Sequence, residues 1–308
     1  MDDLANIDSN VIAKLIEVVS DGIGTLYRPR KIRKEADAEA YAIKVTEKAK
    51  AEAAAEKRLI EIETEERIAR RIAAKEIRRQ DNIDYVVERA AQNLLEEGDI
   101  SDKSVDVDWA ARFFEYAQDI SVEEMKDLWA RILAKEVQKP SSFSLRTLDV
   151  LRNISVEEAR TFERVANFII VDSYFYLLED EELLSRLGVS YMDVALLTEC
   201  GILQPGEFSI NNYYSSPETD STFNVFNGKY WIKIRIPKQS RNITFPIKIL
   251  SKVGRELLNL VEIEGDKDYI IAFAEILKKA NPAVDVQYAE INLESEGELK
   301  TKTPFSSL

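Results

Sequence analysis

Val11-Ile-Ala-Lys-Leu15-Ile-Glu-Val-Val-Ser20-Asp-Gly-Ile-Gly-Thr25-Leu-Tyr-Arg-Pro-Arg30-Lys-Ile-Arg-Lys34 sets the character of this chain. Ile12, Ile16, Val19, Ile23 and Leu26 recur at alternating spacings of four and three, and Val11, Leu15 and Val18 widen the stripe. Asn10, Lys14, Glu17 and Asp21 fall on the other side. One apolar face at a period near 3.6 is an amphipathic helix. Gly22 and Gly24 predict a break near its end, and Pro29 a joint. Arg28, Arg30, Lys31, Arg33 and Lys34 follow at once. A helix of this kind with a basic flank suits an anionic membrane surface, partner helices in an oligomer, or the chain's own core.

Outward from this stretch, neither Gly nor Pro occurs from about Lys34 to Leu95, and Ala, Glu, Lys and Arg dominate. High helix propensity over so long a run predicts a single helix of roughly 90 Å. Acids and bases alternate at spacings that allow i,i+4 pairs. No strict heptad holds over the whole run, so a simple zipper seam is not expected. The apolar stripe strengthens after Ile83 through Val87, Ala90, Ala91, Leu94 and Leu95, where the rod is expected to enter a globular part and end at Gly98.

Asp108 is a candidate cap for a helix carrying Trp109, Phe113 and Ala117. Ser121-Val-Glu-Glu124 and Ser155-Val-Glu-Glu158 are two capping boxes, opening helices with Met125, Trp129 and Leu133 inward and with Phe162, Ala166 and Ile169 inward. Trp109, Trp129, Phe113 and Phe162 are the expected anchors of the core. Residues 181–203 read as helix–turn–helix, the second helix capped by Ser190 and ending at Gly201. Asn227-Gly228 joins two alternating runs as a hairpin, Phe245 to Leu250 is another strand, helices follow near 251–262 and 267–280, and a strand comes at 284–288. The tail after Asn292 is polar and expected to be loose.

Composition excludes more than it assigns. The chain has 308 residues, a net charge of −14 and no histidine. That removes Ser-His-Asp and Cys-His machinery, every His-containing zinc site and the usual pH switch. The one cysteine, Cys200, cannot form an internal disulfide, which fits a reducing cytosol. Asp2 and Asp3 stand where a secretory signal needs positive charge, and no run is long and apolar enough for a membrane span. No phosphate-binding glycine loop is present. No catalytic residue, metal ligand or cofactor is therefore assigned.

One local reversal stands out. Between Ser221 and Arg255 there is no acid, yet the stretch carries Lys229, Lys233, Arg235, Lys238, Arg241, Lys248, Lys252 and Arg255. With Tyr230, Ile232, Ile234 and Ile236 facing inward, Trp231, Lys233 and Arg235 face out. Helix–turn–helix followed by a basic hairpin resembles a winged-helix module. Trp231, Lys233, Arg235, Lys238 and Arg241 are candidates for binding an acidic partner or nucleic acid, and a solvated face balanced by nearby acids is the alternative. Whole-chain acidity opposes DNA.

The runs Trp109-Ala-Ala-Arg-Phe-Phe, Glu-Glu-Met125-Lys-Asp-Leu-Trp129-Ala and Ser-Leu-Arg146-Thr-Leu, with Leu15-Ile-Glu-Val-Val-Ser-Asp-Gly-Ile-Gly upstream, resemble an uncharacterised bacterial domain-of-unknown-function family over most of the chain. About residues 108–165 are similar to Abi-alpha proteins, which are associated with abortive infection. The resemblance supplies no catalytic residues; it implies a bacterial protein, cytoplasmic or peripheral at the inner membrane, with a defensive role.

The expected fold is mainly α, with an amphipathic helix at 1–33, a long charged helix at 34–98, a central helical domain at 99–180, a small α+β winged-helix-like unit at 181–292 and a polar tail at 293–308. The expected function is a non-enzymatic anti-phage effector or sensor. It would oligomerise through Ile12, Leu15, Ile16, Val19, Ile23, Leu26 and the basic flank, or press them on an anionic membrane, and would answer a phage-derived protein. The other reading is a nucleic-acid-binding regulator.

Overall fold

The computed structural model describes residues 9–24, 27, 59–97, 100–170, 174–176, 185, 187–206, 210–292 and 300–308. Among them are nine α-helices and eight strands, so the chain is mainly helical with two small sheets. It divides into two compact units, residues 1–152 and 153–308. That boundary passes through the 99–180 block expected from the sequence. Residues 156–166 therefore belong with the C-terminal sheets, not with the tryptophan-bearing helices.

The first unit is a helical bundle of α1 (Ser9–Ile23), α2 (Leu59–Glu97), α3 (Val107–Ala117), α4 (Glu123–Gln138) and α5 (Leu145–Leu151). Helix α2 packs chiefly along α4, and α1 along α3. Helix α1 does not break at Gly22. It runs through that residue and stops at Gly24, whose φ of 72° ends it with a bond from Gly24 N to Ser20 O of 3.0 Å. Gly22 is instead a contact: a Cβ there would overlap the Phe114 ring and lie 2.7 Å from Ala110 O.

The core is built on aromatic rings. Trp109 stacks on Phe113 with centroids 5.0 Å apart, and Phe113 meets Phe114 at 5.0 Å and Trp129 at 5.1 Å. Both indole N–H groups are buried without a partner among the described residues. Ile83, Val86, Val87, Ala90, Ala91 and Leu94 bury one face of α2, whereas Leu95 is 43% exposed.

Two helix starts differ from expectation. Asp106, not Asp108, caps α3, its carboxylate accepting from Trp109 N at 2.9 Å. The Ser121 box does not form, because α4 begins one residue later with Val122 at the cap. Its start is tied to α2: the single Tyr85 hydroxyl proton lies between Asp127 (3.1 Å) and Glu123 (3.3 Å), and Arg89 Nε donates to Asp127 (2.9 Å).

The second unit opens with α6 (Val156–Ala166), where the Ser155–Glu158 box is complete. Helix α7 (Tyr191–Glu199) is likewise boxed, by Ser190 and Asp193. Strands β1 (Tyr174–Tyr176) and β2 (Ile210–Tyr213) flank β5 (Ile243–Ile249) in one antiparallel sheet. In the other, β4 (Tyr230–Ile236) lies between β3 (Ser221–Asn227) and β6 (Asp285–Asn292). Helices α8 (Lys252–Leu258) and α9 (Lys267–Ala280) complete the unit, α9 burying Tyr269, Ile270, Phe273 and Leu277.

The β3–β4 turn is Gly228-Lys229, one residue beyond the Asn-Gly expected, because Asn227 pairs with Tyr230 as the last strand residue. Asn227 is fully buried. Its Nδ2 donates to Asn167 O (2.8 Å) and Ile169 O (2.9 Å), and its Oδ1 accepts from Asp266 N (2.9 Å). One amide thereby joins the end of α6, the hairpin and the start of α9.

Residues 300–308 are not the loose tail the sequence suggested. Strands β7 (Lys300–Thr301) and β8 (Ser306–Ser307) pair with the free edge of β6. The register changes by two residues between Ile291↔Thr301 and Tyr288↔Ser306, so the outer strand bulges around Thr303–Phe305. Pro304, which lacks a donor, sits in that bulge.

Candidate functional site

Two surfaces stand out, one that the sequence did not single out and one that it did. The first is the N-terminal half of described α2. Every residue from Thr64 to Arg78 is exposed. Glu65, Ile68, Ile72 and Lys75 recur at spacings of three, four and three, so they share one stripe. Further along, the same stripe passes through Arg79, Asn82 and Val86. Arg79 is clamped by Asp119 through two bonds of 2.9 Å, while Asn82 and Val86 are buried. The face that packs inside the bundle thus emerges into solvent at Lys75 and continues uncovered, with Ile68 43% and Ile72 54% exposed. The Arg79 hydrogen bond holds the Asp119 carboxyl below its ordinary range, so the clamp stays charged. Glu65 and Lys75 form no ion pair among the described residues.

A polar groove of about 470 Å³ lies beside the clamp, lined in part by Tyr116 and Arg152. Its charges are largely spent internally. Tyr116 Oη donates to Asp149 at 2.6 Å, and the Arg152 guanidinium sits 4.7 Å from the Tyr116 ring.

Helix α1 supplies a different result from a free amphipathic face. Leu15 and Val19 are 3% and 0% exposed and belong to the unit's own core; Ile12, Ile16 and Ile23 are half-buried. Those two side chains are therefore not available to lipid or to a second chain while α1 stays docked. Leu26, Arg28, Arg30, Lys31, Arg33 and Lys34 lie outside the described residues. No described helix is long and apolar enough to cross a membrane.

The second surface is the outer face of β4. Tyr230, Ile232, Ile234 and Ile236 are buried, and Trp231, Lys233 and Arg235 alternate outward. They are not an open cationic patch. Phe305, thrown across by the bulge, packs edge-on against Trp231 with centroids 5.3 Å apart, and the Lys233 ammonium lies 4.1 Å from the Phe305 ring. Trp231 Nε1 donates to Asn224 at 3.0 Å. Arg235 binds Asp220, which also accepts from Lys238 N at 3.0 Å. The backbone bond from Lys238 and the Arg235 contact together hold the Asp220 carboxyl below its ordinary range. Lys229 pairs with Glu264 at 3.6 Å. Lys238 and Arg241 are exposed. The acids missing from Ser221–Arg255 are thus returned by segments just outside it.

Trp109, Phe113 and Trp129 are buried together in the first unit, and Phe162 is buried in the second. Sequence reasoning missed Asp220, Phe305 and Asn227. A lone Phe in a polar tail carries no strand pattern, and Asn before Gly reads as a turn residue. No group of three or more metal-ligating side chains occurs among the described residues.

Residues 66–274, about two thirds of the chain, match the family model described as Protein of unknown function (DUF2806). The chain belongs to the DUF2806 family. The DUF2806 match takes in most of the exposed half of α2 and runs into α9, while α1 and the C-terminal segment bearing Phe305 lie outside it. No curated protein and no solved structure matches the chain significantly.

Proposed function

We propose that this DUF2806 protein is a non-enzymatic assembly protein of bacterial anti-phage defence, of the abortive-infection type, which self-associates through its N-terminal helical unit. The observation that carries the assembly half is the run Thr64–Arg78, exposed at every position of a continuous helix. A helix this polar that buries nothing is marginal alone, because helical stability in proteins comes mostly from packing. A partner along it supplies that packing. The defensive half rests on the Abi-alpha resemblance of residues 108–165, of which 108–152 hold the aromatic core of the first unit and the rest belong to the second.

Membrane action is the less favoured version. It requires α1 to leave α3 and expose Leu15 and Val19, which are now core. The nucleic-acid reading has its support in the Ser190-capped helix α7 and the β3–β4 hairpin, a winged-helix-like order, and Lys238 and Arg241 stay exposed. Against it stand the Asp220–Arg235 pair and the Phe305 cover.

The test is plaque formation on cells expressing the wild-type chain or its Ile68→Glu, Ile72→Glu variant, with expression matched by immunoblot. Protection by the wild type and its loss in the variant support the reading. Equal plating on wild-type, variant and empty-vector cells across a broad phage panel overturns the defensive half.

A further inference from the structure

We infer that residues 65–75 of α2 form an antiparallel self-pairing surface, whose partner is the same segment of a second copy. The inference rests on the assembly reading above and specifies the surface and its polarity.

The exposed stripe is symmetric about its centre in shape and complementary in charge. Glu65, Ile68, Ile72 and Lys75 place two apolar residues at the centre, an acid three residues before and a base three residues after. Antiparallel pairing about Arg70 sets residue i opposite residue 140 − i. Ile68 then meets Ile72 of the second copy and Ile72 meets Ile68. Glu65 meets Lys75, and Lys75 meets Glu65. All four layers are complementary. A parallel pair would set Glu65 on Glu65 and Lys75 on Lys75, which is repulsive in both layers. Charge therefore selects the orientation, and the two isoleucine layers supply the apolar contact.

The rest of the helix is consistent with this face. Ala69 beside the stripe allows close approach. Glu66 and Arg70, directed away from it, already pair within the chain at 3.4 Å. Arg71 is the one residue that approaches its own symmetry copy with like charge. The stripe cannot extend unchanged past Lys75, because Arg79 is clamped by Asp119. Three helical turns span about 15 Å, less than a standard interface requires. Association through this segment alone is weak.

The experiment is disulfide trapping in the intact chain, in a Cys200→Ser background. One preparation carries Glu65→Cys, another Lys75→Cys, and each is oxidised alone and as an equal mixture, with mass measured alongside. A disulfide dimer that forms severalfold faster in the mixture than in either preparation alone is the expected result, and Ile72→Glu in both chains abolishes it. Self-disulfide of the Glu65→Cys chain alone, at the rate of the mixture, shows parallel pairing and overturns the inference. Oligomers of the right mass with no trapping in any sample also overturn it, while the assembly reading survives. A monomer at every concentration removes both.

Discussion

Gly22→Ala separates a docked α1 from a free one by the sign of its effect. In an isolated or lipid-facing helix, alanine in place of glycine stabilises by about 1 kcal/mol. Docked on α3, the new methyl overlaps the Phe114 ring and lies 2.7 Å from the Ala110 carbonyl oxygen. Phe114 is 2% exposed and the carbonyl is helix backbone, so neither yields easily. Overpacking at such a site costs about 1–3 kcal/mol. Set against the propensity gain, the net effect is a loss of up to about 2 kcal/mol. Urea unfolding followed by tryptophan emission in a Trp231→Phe background reads the first unit alone, because Trp109 and Trp129 both lie in it. A lower midpoint with unchanged slope is expected. A stabilisation of about 1 kcal/mol would refute the docked α1 and restore Leu15 and Val19 as membrane or oligomer contacts.

Four further outcomes follow from the second unit. Asn227→Ala strands two carbonyls and one N–H that the buried amide now satisfies; the unit should lose about 2–4 kcal/mol, seen as a lower thermal midpoint. Phe305→Ala uncovers Trp231, so its emission should shift to the red and acrylamide quenching should rise in a chain lacking Trp109 and Trp129; unchanged emission contradicts the packed C-terminal strand. Cys200 donates to Glu158 at 3.2 Å, and burial together with that carboxylate pushes its pKa up to about 11. Alkylation at pH 8 should be slow and should accelerate in Glu158→Gln. The Ser155 backbone bond holds Glu158 below its ordinary range. Its folded pKa lies under its unfolded one, so the stability it contributes is whole above the unfolded value and is lost as pH falls through the folded value. The wild type and Glu158→Gln should therefore converge in urea midpoint at acid pH.

The elements that were legible in the sequence are those with strong local signals. The Ser155 and Ser190 caps, the Asn-Gly hairpin and the period of α1 each act within a few residues. What could not be read depends on distant partners. The Ser121 box does not form because α4 starts one residue late, and the ties of Tyr85 and Arg89 to Glu123 and Asp127 come from distant α2. Phe305 becomes a structural residue only because a bulge aims it at Trp231. The basic stretch looked unbalanced because Asp220 and Glu264 lie outside it in sequence and beside it in space. The boundary at residue 152 follows from which core each helix joins, and capping chemistry does not encode that. The exposed stripe of α2 was present in the sequence, but its meaning required knowing where the buried half of the same face ends.

Sedimentation equilibrium of the intact chain over a wide concentration range, with and without Ile68→Glu and Ile72→Glu, asks most directly whether the N-terminal helical unit assembles. Reversible association in the wild type, lost in the double variant while its circular dichroism is unchanged, is the predicted result. A wild-type chain that stays monomeric throughout, or a variant that associates as well as the wild type, contradicts it.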